Sequence, residues 1–146
     1  MPVATKGFAH RVDIGAAPDA VWASLVDAAQ LSVWLGREAR VRPRAGGAWS
    51  ITFDGDLRRD ATIDVFDPGR RLRLIYLVPP GLPDFDGAVV EDYLLEPDGT
   101  GTVVRVLCSG IPEQPDWELL YRRLRTGTER ALARLKVLVE RGSRAS

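Results

Sequence analysis

The sequence predicts an α+β fold in which a curved antiparallel sheet wraps around a long C-terminal helix, with two short helices after the first strand. Three observations predict it. Apolar residues alternate with a period of two through the middle of the chain, turns rich in Gly, Pro and Asp separate these runs, and beyond residue 115 the apolar spacing becomes helical. Turns this short allow antiparallel but not parallel neighbours. The long helix is the one large apolar surface available to cover the sheet.

The first strand and both short helices are predicted within the first quarter of the chain. Residues 8–14 alternate loosely between apolar and polar side chains, as a strand does. Pro18 suits the first turn of a helix, and the apolar residues from Val21 to Val26 have helical spacing. A second short helix is predicted over residues 28–35.

Six more strands are predicted between residues 41 and 108. The first begins at Val41 and is ended by Pro43, and the others cover residues 49–53, 61–65, 72–78, 89–95 and 102–108. Asp54-Gly55 is a hairpin signal. Residues 79–87 hold three prolines and two glycines, so we expect a long loop there.

The final helix is predicted from about residue 115 to 140 by an apolar stripe made of Trp117, Leu120, Tyr121, Leu124, Thr128, Ala131, Leu132, Leu135 and Leu138. Residues 118–146 contain eight Arg or Lys and three Glu. Such an excess is typical of a solvated face with cations near a helix C-terminus. An acidic protein partner is the alternative.

Length and composition indicate one small domain spanning residues 1–146, with its core at about 8–141. The formal net charge is zero, so nucleic acid and anionic membranes are not expected partners. No apolar run approaches the ~20 residues of a membrane span. The N-terminal residues lack the apolar stretch of a secretory signal. Cys108 is the only cysteine, which suits a reducing compartment, and we expect a cytoplasmic protein.

Several short motifs occur in a defined order along the chain. They are residues 17–22 at the first helix, 31–35 at the second, Gly46-Gly47 before an aromatic strand, 67–72, residues 95–97 followed by Gly101-Thr102, and Trp117 at the last helix. Together they resemble the START-like, or SRPBCC, superfamily. The branch that they resemble most is homologous to the activator of the ninety-kilodalton heat-shock chaperone ATPase.

This resemblance covers nearly the whole chain and implies a helix-grip fold with an apolar pocket between the sheet and the long helix. The superfamily includes lipid and hormone carriers, polyketide cyclases, chaperone activators and many bacterial proteins. The fold therefore does not select a function.

Glu91 is the most unusual residue of the predicted sheet. If Leu95 pairs with Thr102, then Tyr93 pairs with Val104 and Glu91 with Val106 on the inward face, whereas Asp92 and Arg105 pair on the outer face. A buried carboxylate is costly unless it is hydrogen-bonded or paired.

Three interpretations of Glu91 are open. It lies at the cavity mouth or bonds a nearby Arg or Tyr, with Arg59 as a possible inward partner. Alternatively, it orients a ligand's donor group or acts as a general base. In the third, a register error of one residue places it in solvent.

The candidate ligand-binding residues are Trp49, Phe53, Tyr76, Glu91, Tyr93, Val104, Trp117, Tyr121 and Leu124. The aromatic members can equally well fill the core. Tyrosines and a glutamate converging on an apolar space, however, are typical of a ligand site. Phe85, in the long loop, is a candidate lid over this space.

The sequence offers little other chemistry. His10 is the only histidine and no nucleophile-elbow motif accompanies it. One His and one Cys cannot supply a metal site of nitrogen and sulfur ligands, so no metal is expected. No phosphate- or dinucleotide-binding glycine pattern is present, and no cofactor is expected. Cys108 is expected to be an inert packing residue.

Three functions are compatible with these observations. The first is the binding of a small hydrophobic or aromatic molecule, with Glu91 and the tyrosines orienting it. The second is a polyketide cyclase- or aromatase-like enzyme that uses Glu91 as its acid-base group. The third is an interaction module like the chaperone activators. A homodimer is possible through an exposed edge strand or the basic helix face.

Overall fold

The computed structural model describes residues 3–145. In chain order the elements are β1 (Thr5–Ile14), α1 (Pro18–Val26), α2 (Ala28–Trp34), β2 (Glu38–Val41), β3 (Ala48–Thr52), β4 (Arg58–Asp67), β5 (Arg71–Tyr76), β6 (Val89–Asp98), β7 (Gly101–Pro112) and α3 (Glu118–Ala145). Short 3₁₀ turns at Asp54–Asp56 and Pro115–Trp117 precede β4 and α3.

Within the described residues, seven strands form one antiparallel sheet in the order β1-β7-β6-β5-β4-β3-β2. Neighbours from β2 to β7 are consecutive in the chain, as the short turns predict, and β1 closes the sheet beside β7. The α+β class, the curved antiparallel sheet, the long C-terminal helix and the two early helices are therefore confirmed.

Several predicted boundaries shift: β1 begins at Thr5, β4 covers Arg58–Asp67, β5 ends at Tyr76 rather than residue 78, and β7 continues to Pro112. The strand expected to start at Val41 instead ends there, because its pairing with β3 sets Val41 opposite Trp49 and Glu38 opposite Thr52. The last helix proper begins at Glu118 and continues to Ala145, five residues beyond the predicted end. The preceding turn contains Pro115, which lacks the backbone N–H of a regular helix interior.

The predicted register of the β6–β7 hairpin is wrong by two residues. Leu95 lies opposite Val104, Tyr93 opposite Val106, and Glu91 opposite Cys108. Both strands extend further into the turn than predicted, to Asp98 and from Gly101. Because a shift of two preserves side-chain parity, the inward and outward faces are nonetheless the predicted ones.

The pairing of charged residues on the outer face of the hairpin also differs from the prediction. Asp92 does not pair with Arg105, as predicted, but accepts two hydrogen bonds from Arg71 on the neighbouring strand, at 2.9 Å from Nε and 2.7 Å from Nη2. This bidentate geometry is the preferred one for a guanidinium and a carboxylate.

The core lies between the inward sheet face and α3. Trp34 donates from Nε1 to the carbonyl of Ser24 at 2.8 Å, and Trp49 donates to that of Leu25 at 3.2 Å. Both acceptors belong to the last turn of α1, where carbonyls lack helical partners. The two indoles therefore fix α1 to the rest of the core. Among residues 3–145, no helix is long and apolar enough to cross a membrane.

Candidate functional site

Glu91 is fully buried in the middle of the sheet, with 0% of its surface exposed. It is the third residue of β6, and its neighbours on the same face, Val89 and Tyr93, are also buried. Tyr76 ends the adjacent strand β5, opposite Val89 and therefore diagonal to Glu91. A diagonal position is within reach of long side chains, and the Tyr76 hydroxyl donates to Glu91 Oε1 at 2.8 Å.

The two tyrosines near Glu91 are held in their protonated form. Burial, together with the negative charge of Glu91, raises the pKa of Tyr76 well above its usual value. The same two causes, in the same order, raise the pKa of Tyr93. A protonated phenol can donate a hydrogen bond to a carboxylate, so Tyr76 acts as a permanent donor at neutral pH.

The second carboxylate oxygen, Glu91 Oε2, is buried and has no hydrogen-bond partner among the described residues. Leaving a buried polar group unsatisfied costs about 1–3 kcal/mol, and more for a charged group. Glu91 is therefore half satisfied. An additional donor, from a bound molecule or a water, would complete it.

Arg59 supplies an opposite charge from the inward face of β4. Its guanidinium lies 4.9 Å from the ring centroid of Phe53 and 5.6 Å from that of Tyr76. Burial works against its charge, but the surrounding Tyr76 and Glu91 outweigh burial and leave the pKa of Arg59 above its usual value. Arg59 therefore neutralises the buried carboxylate at a distance, without an ion-pair contact to Glu91 in the described chain.

Cys108 lies directly opposite Glu91 on β7 and is 3% exposed. Burial, followed by the charge of Glu91, raises the pKa of its thiol to about 12. The thiolate is the nucleophilic form of cysteine. Cys108 is therefore a protonated thiol that packs in the core.

The loop between β5 and β6 packs against the core through Leu82 and Phe85. Phe85 from this loop packs edge-on against Trp117, with their ring centroids 4.9 Å apart. Trp117 is fully buried, and its Nε1 is a second polar atom without a hydrogen-bond partner in the described structure. Trp117 Nε1 is thus an unsatisfied donor beside this loop, and Glu91, whose Oε2 is an unsatisfied acceptor, is the third residue of β6 after the loop.

Helix α3 contributes a third unsatisfied group. The hydroxyl of Thr128 is buried without a partner. Thr128 lies eleven residues after Trp117, about 16 Å along a helix axis, so it belongs to a different part of the interior. Sequence reasoning placed Thr128 on the apolar stripe but not among the site candidates. A lone hydroxyl on such a stripe was the available signal.

The structure brings only some of the predicted site residues together. Tyr76, Glu91, Tyr93 and Trp117 line the interior, and Val104 and Leu124 are buried in the same core. Glu91, Tyr93, Val104 and Trp117 are therefore shielded from solvent in this structure.

The other three candidates have different surroundings. Trp49 is buried, but its indole is engaged with α1. Phe53 is half-buried beneath Arg59. The Tyr121 hydroxyl donates to the carbonyl of Gly7 at 3.3 Å. Tyr121 therefore does not converge with the other tyrosines on Glu91.

The lone histidine takes no part in this site. His10 Nε2 lies 2.9 Å from the carbonyl oxygen of Arg125 on α3 and so carries the proton in this contact. Its ring packs at 5.2 Å from that of Phe8. Within residues 3–145, no three His, Cys, Asp or Glu side chains cluster as metal ligands would.

Comparison with known proteins gives a consistent picture. The family model for "Activator of Hsp90 ATPase homolog 1-like protein" matches residues 15–140. No curated protein matches the chain.

Among solved structures, protein MLL2253 from Mesorhizobium loti is similar with a TM-score of 0.81 at 22% identity, covering 93% of this chain and 98% of that one. CalU16 from Micromonospora echinospora is similar with a TM-score of 0.72 at 22% identity, covering 92% of this chain and 74% of that one. The Aha1 dimer from Colwellia psychrerythraea is similar with a TM-score of 0.74 at 18% identity, covering 92% of this chain and 96% of that one. At these identities the likeness concerns the fold.

Proposed function

Since the chain belongs to the family of Activator of Hsp90 ATPase homolog 1-like proteins, with the helix-grip fold of the SRPBCC superfamily, we propose that it binds a small aromatic or hydrophobic molecule between its sheet and α3. The observation that carries the proposal is the half-satisfied carboxylate of Glu91. A ligand hydroxyl or N–H that donates to Oε2 would complete it.

The chemistry around Glu91 defines the ligand's expected shape. The surrounding side chains are mostly apolar or aromatic, with Arg59 as the nearby charge, and ligand sites of this kind use few polar groups for orientation. Glu91 Oε2 requires a donor and Trp117 Nε1 requires an acceptor. The proposed ligand is therefore mostly apolar, with a hydroxyl or N–H group to meet Glu91 and an acceptor for Trp117.

Entry of this ligand requires movement, because the interior is closed. The segment of residues 77–88 has no regular secondary structure and its Phe85 seals the edge of Trp117. Displacing Phe85 opens a route that leaves the sheet and α3 intact. In this proposal the loop acts as the lid.

The experiment compares two probes of nearly equal shape, 2-naphthol and naphthalene, by calorimetry with protein titrated into ligand. A hydrogen bond to a charged acceptor contributes about 1.5–3 kcal/mol, so we expect 2-naphthol to bind about tenfold more tightly or better. Glu91→Leu should abolish this preference. The matched control Glu96→Leu, at an exposed position on the same strand, should keep it.

Equal affinities for the two probes in the wild-type protein, or no binding of either, would refute the site. The lid is tested separately by Phe85→Ala, which should speed dissociation of 2-naphthol. An unchanged dissociation rate would contradict the role of Phe85 as a lid but would leave the proposed ligand site standing. Proton transfer by Glu91, which the enzyme hypothesis requires, would use the same Oε2, so binding is the first question to settle.

A further inference from the structure

A groove lies between α2 and the C-terminal part of α3. The end of α2 and the last third of α3 form a groove of about 400 Å³, lined mainly by apolar atoms and including Val33, Trp34, Val137 and Leu138. None of its lining residues is among those described around Glu91, so the groove is independent of the proposed ligand site.

The groove exposes aliphatic side chains that nothing in the described chain covers. Val33 on α2 is 65% exposed and Val137 on α3 is 48% exposed. On α3, Ala133, Val137 and Leu138 recur at helical spacing and form an apolar strip beside the buried face. These side chains present the apolar surface that an amphipathic partner helix would cover.

The charge at the rim has one sign. Arg134 and Arg141 both line the groove. Arg134 donates from Nε to the carbonyl of Trp34 at 2.8 Å, which fixes α3 against the end of α2. Within the described residues no carboxylate pairs with either arginine. The groove therefore combines an apolar floor with an uncompensated cationic edge.

We propose that this groove binds an amphipathic helix of a partner protein, with apolar side chains on the floor and Asp or Glu facing Arg134 and Arg141. A groove between two helices is a recurrent receptor for a third, amphipathic helix. The complementary charge of the partner would set its orientation and speed its association.

Two other occupants fit less well. A second copy placed by two-fold symmetry presents the same patch to itself, which would bring the arginines of both copies together. An anionic membrane would meet only two groove cations on a chain of zero net charge, and a concave floor does not insert into a bilayer. Charge complementarity thus favours an acidic protein segment.

The test uses designed helical peptides of ~18 residues, five turns, with one apolar stripe flanked either by Glu or by Lys. Fluorescence anisotropy should give a micromolar Kd for the acidic peptide and binding at least about tenfold weaker for the basic one. Val137→Asp should weaken the acidic peptide about tenfold or more. Leu119→Asp, at another exposed position of α3 (57% exposed), should not change its affinity.

A second pair of variants tests the rim. Arg141→Glu should weaken the acidic peptide roughly three- to tenfold and reduce its salt dependence, whereas Arg123→Glu, on an exposed part of the same helix, should not. If Val137→Asp does not fold by circular dichroism, Val33→Asp replaces it, since Val33 is the more exposed side chain.

Three results would overturn the proposal. Equal affinity for both peptides, or no binding of the acidic one at about 1 mM, would refute charge-selective binding in the groove. Light scattering that shows a dimer dissociated by Val137→Asp assigns the groove to a second copy. Binding to phosphatidylserine vesicles that Val137→Asp abolishes assigns it to a membrane.

Discussion

Removal of the Tyr76 hydroxyl is the sharpest perturbation of the buried polar pair. Tyr76→Phe keeps the ring and deletes only the donor 2.8 Å from Glu91 Oε1. Glu91 is fully buried, and its other oxygen already lacks a partner. The variant therefore removes the hydrogen bond to Oε1 and leaves the buried carboxylate beside Tyr93 and the charge of Arg59.

The magnitude follows from this geometry. A hydrogen bond to a charged group contributes about 1.5–3 kcal/mol net, and a buried group left unsatisfied carries its desolvation cost. We expect Tyr76→Phe to lower the free energy of unfolding by about 2–3 kcal/mol. For a chain of this size that corresponds to a fall in Tm of roughly 4–12 °C.

A double-mutant cycle separates the pair from its surroundings. When both partners become apolar, as in Tyr76→Phe with Glu91→Leu, no unsatisfied group remains, and the second substitution should cost less in this background than alone. Urea unfolding followed by tryptophan fluorescence measures the four free energies. We expect a coupling energy of about 1.5–3 kcal/mol.

The control is Tyr121→Phe, whose hydroxyl makes a longer bond of 3.3 Å to the Gly7 carbonyl at the surface. It should change stability by less than about 0.5 kcal/mol. If Tyr76→Phe lowers the free energy of unfolding no more than this control does, the hydrogen bond to Glu91 is not the stabilising contact inferred here. Strictly additive free energies for the Tyr76 and Glu91 substitutions would refute it as well.

Two further predictions concern titration and backbone geometry. Burial and the charge of Glu91 raise the pKa of Cys108 to about 12 from an ordinary 9.0, so the folded state keeps a proton that the unfolded chain loses, and stability falls as pH rises from about 9 to about 12. Cys108→Ala should flatten this alkaline limb by up to ~1.4 kcal/mol per pH unit in urea titrations at successive pH values, and an unchanged slope would contradict the assignment. Gly110 has a φ of +85°, and a Cβ there would lie 2.0 Å from the Ala88 carbonyl oxygen, so Gly110→Ala should cost about 2 kcal/mol or more by thermal unfolding. Gly127→Ala, in open space on α3, should instead stabilise by about 0.5–1 kcal/mol, and equal effects of the two would contradict the expected strain.

The element order and the inward face of β6 could be predicted because they depend on local periodicity. The exact hairpin register could not. Pro97-Asp98-Gly99 was interpreted as the turn, whereas Pro97 pairs with Thr102 and Asp98 with Gly101, so that only Gly99 and Thr100 connect the strands. Gly99 adopts a φ of +60° in this tight turn. Glu91 faced inward in either register because the shift was even.

The partner of Glu91 could not be predicted from the sequence. Its donor, Tyr76, lies on β5, and the loop of residues 77–88 separates the two strands, so no short turn fixes their register. Arg59 was weighed as an inward partner from parity alone, but only packing shows that it lies over Phe53 and Tyr76. Helical spacing placed Tyr121 at the site, yet it lies at the margin of the stripe and bonds β1.

The central claim is that a ligand's polar groups complete Glu91 and Trp117. The most direct test follows the tryptophan indole ¹H–¹⁵N resonances during titration with 2-naphthol. The Trp117 indole, which has no partner in the described structure, should shift saturably, and that of Trp34, which is bonded to Ser24, should not. Glu91→Leu should weaken the Trp117 response about tenfold or more. A Trp117 resonance that stays unchanged while 2-naphthol binds elsewhere, or that never moves, would contradict the claim.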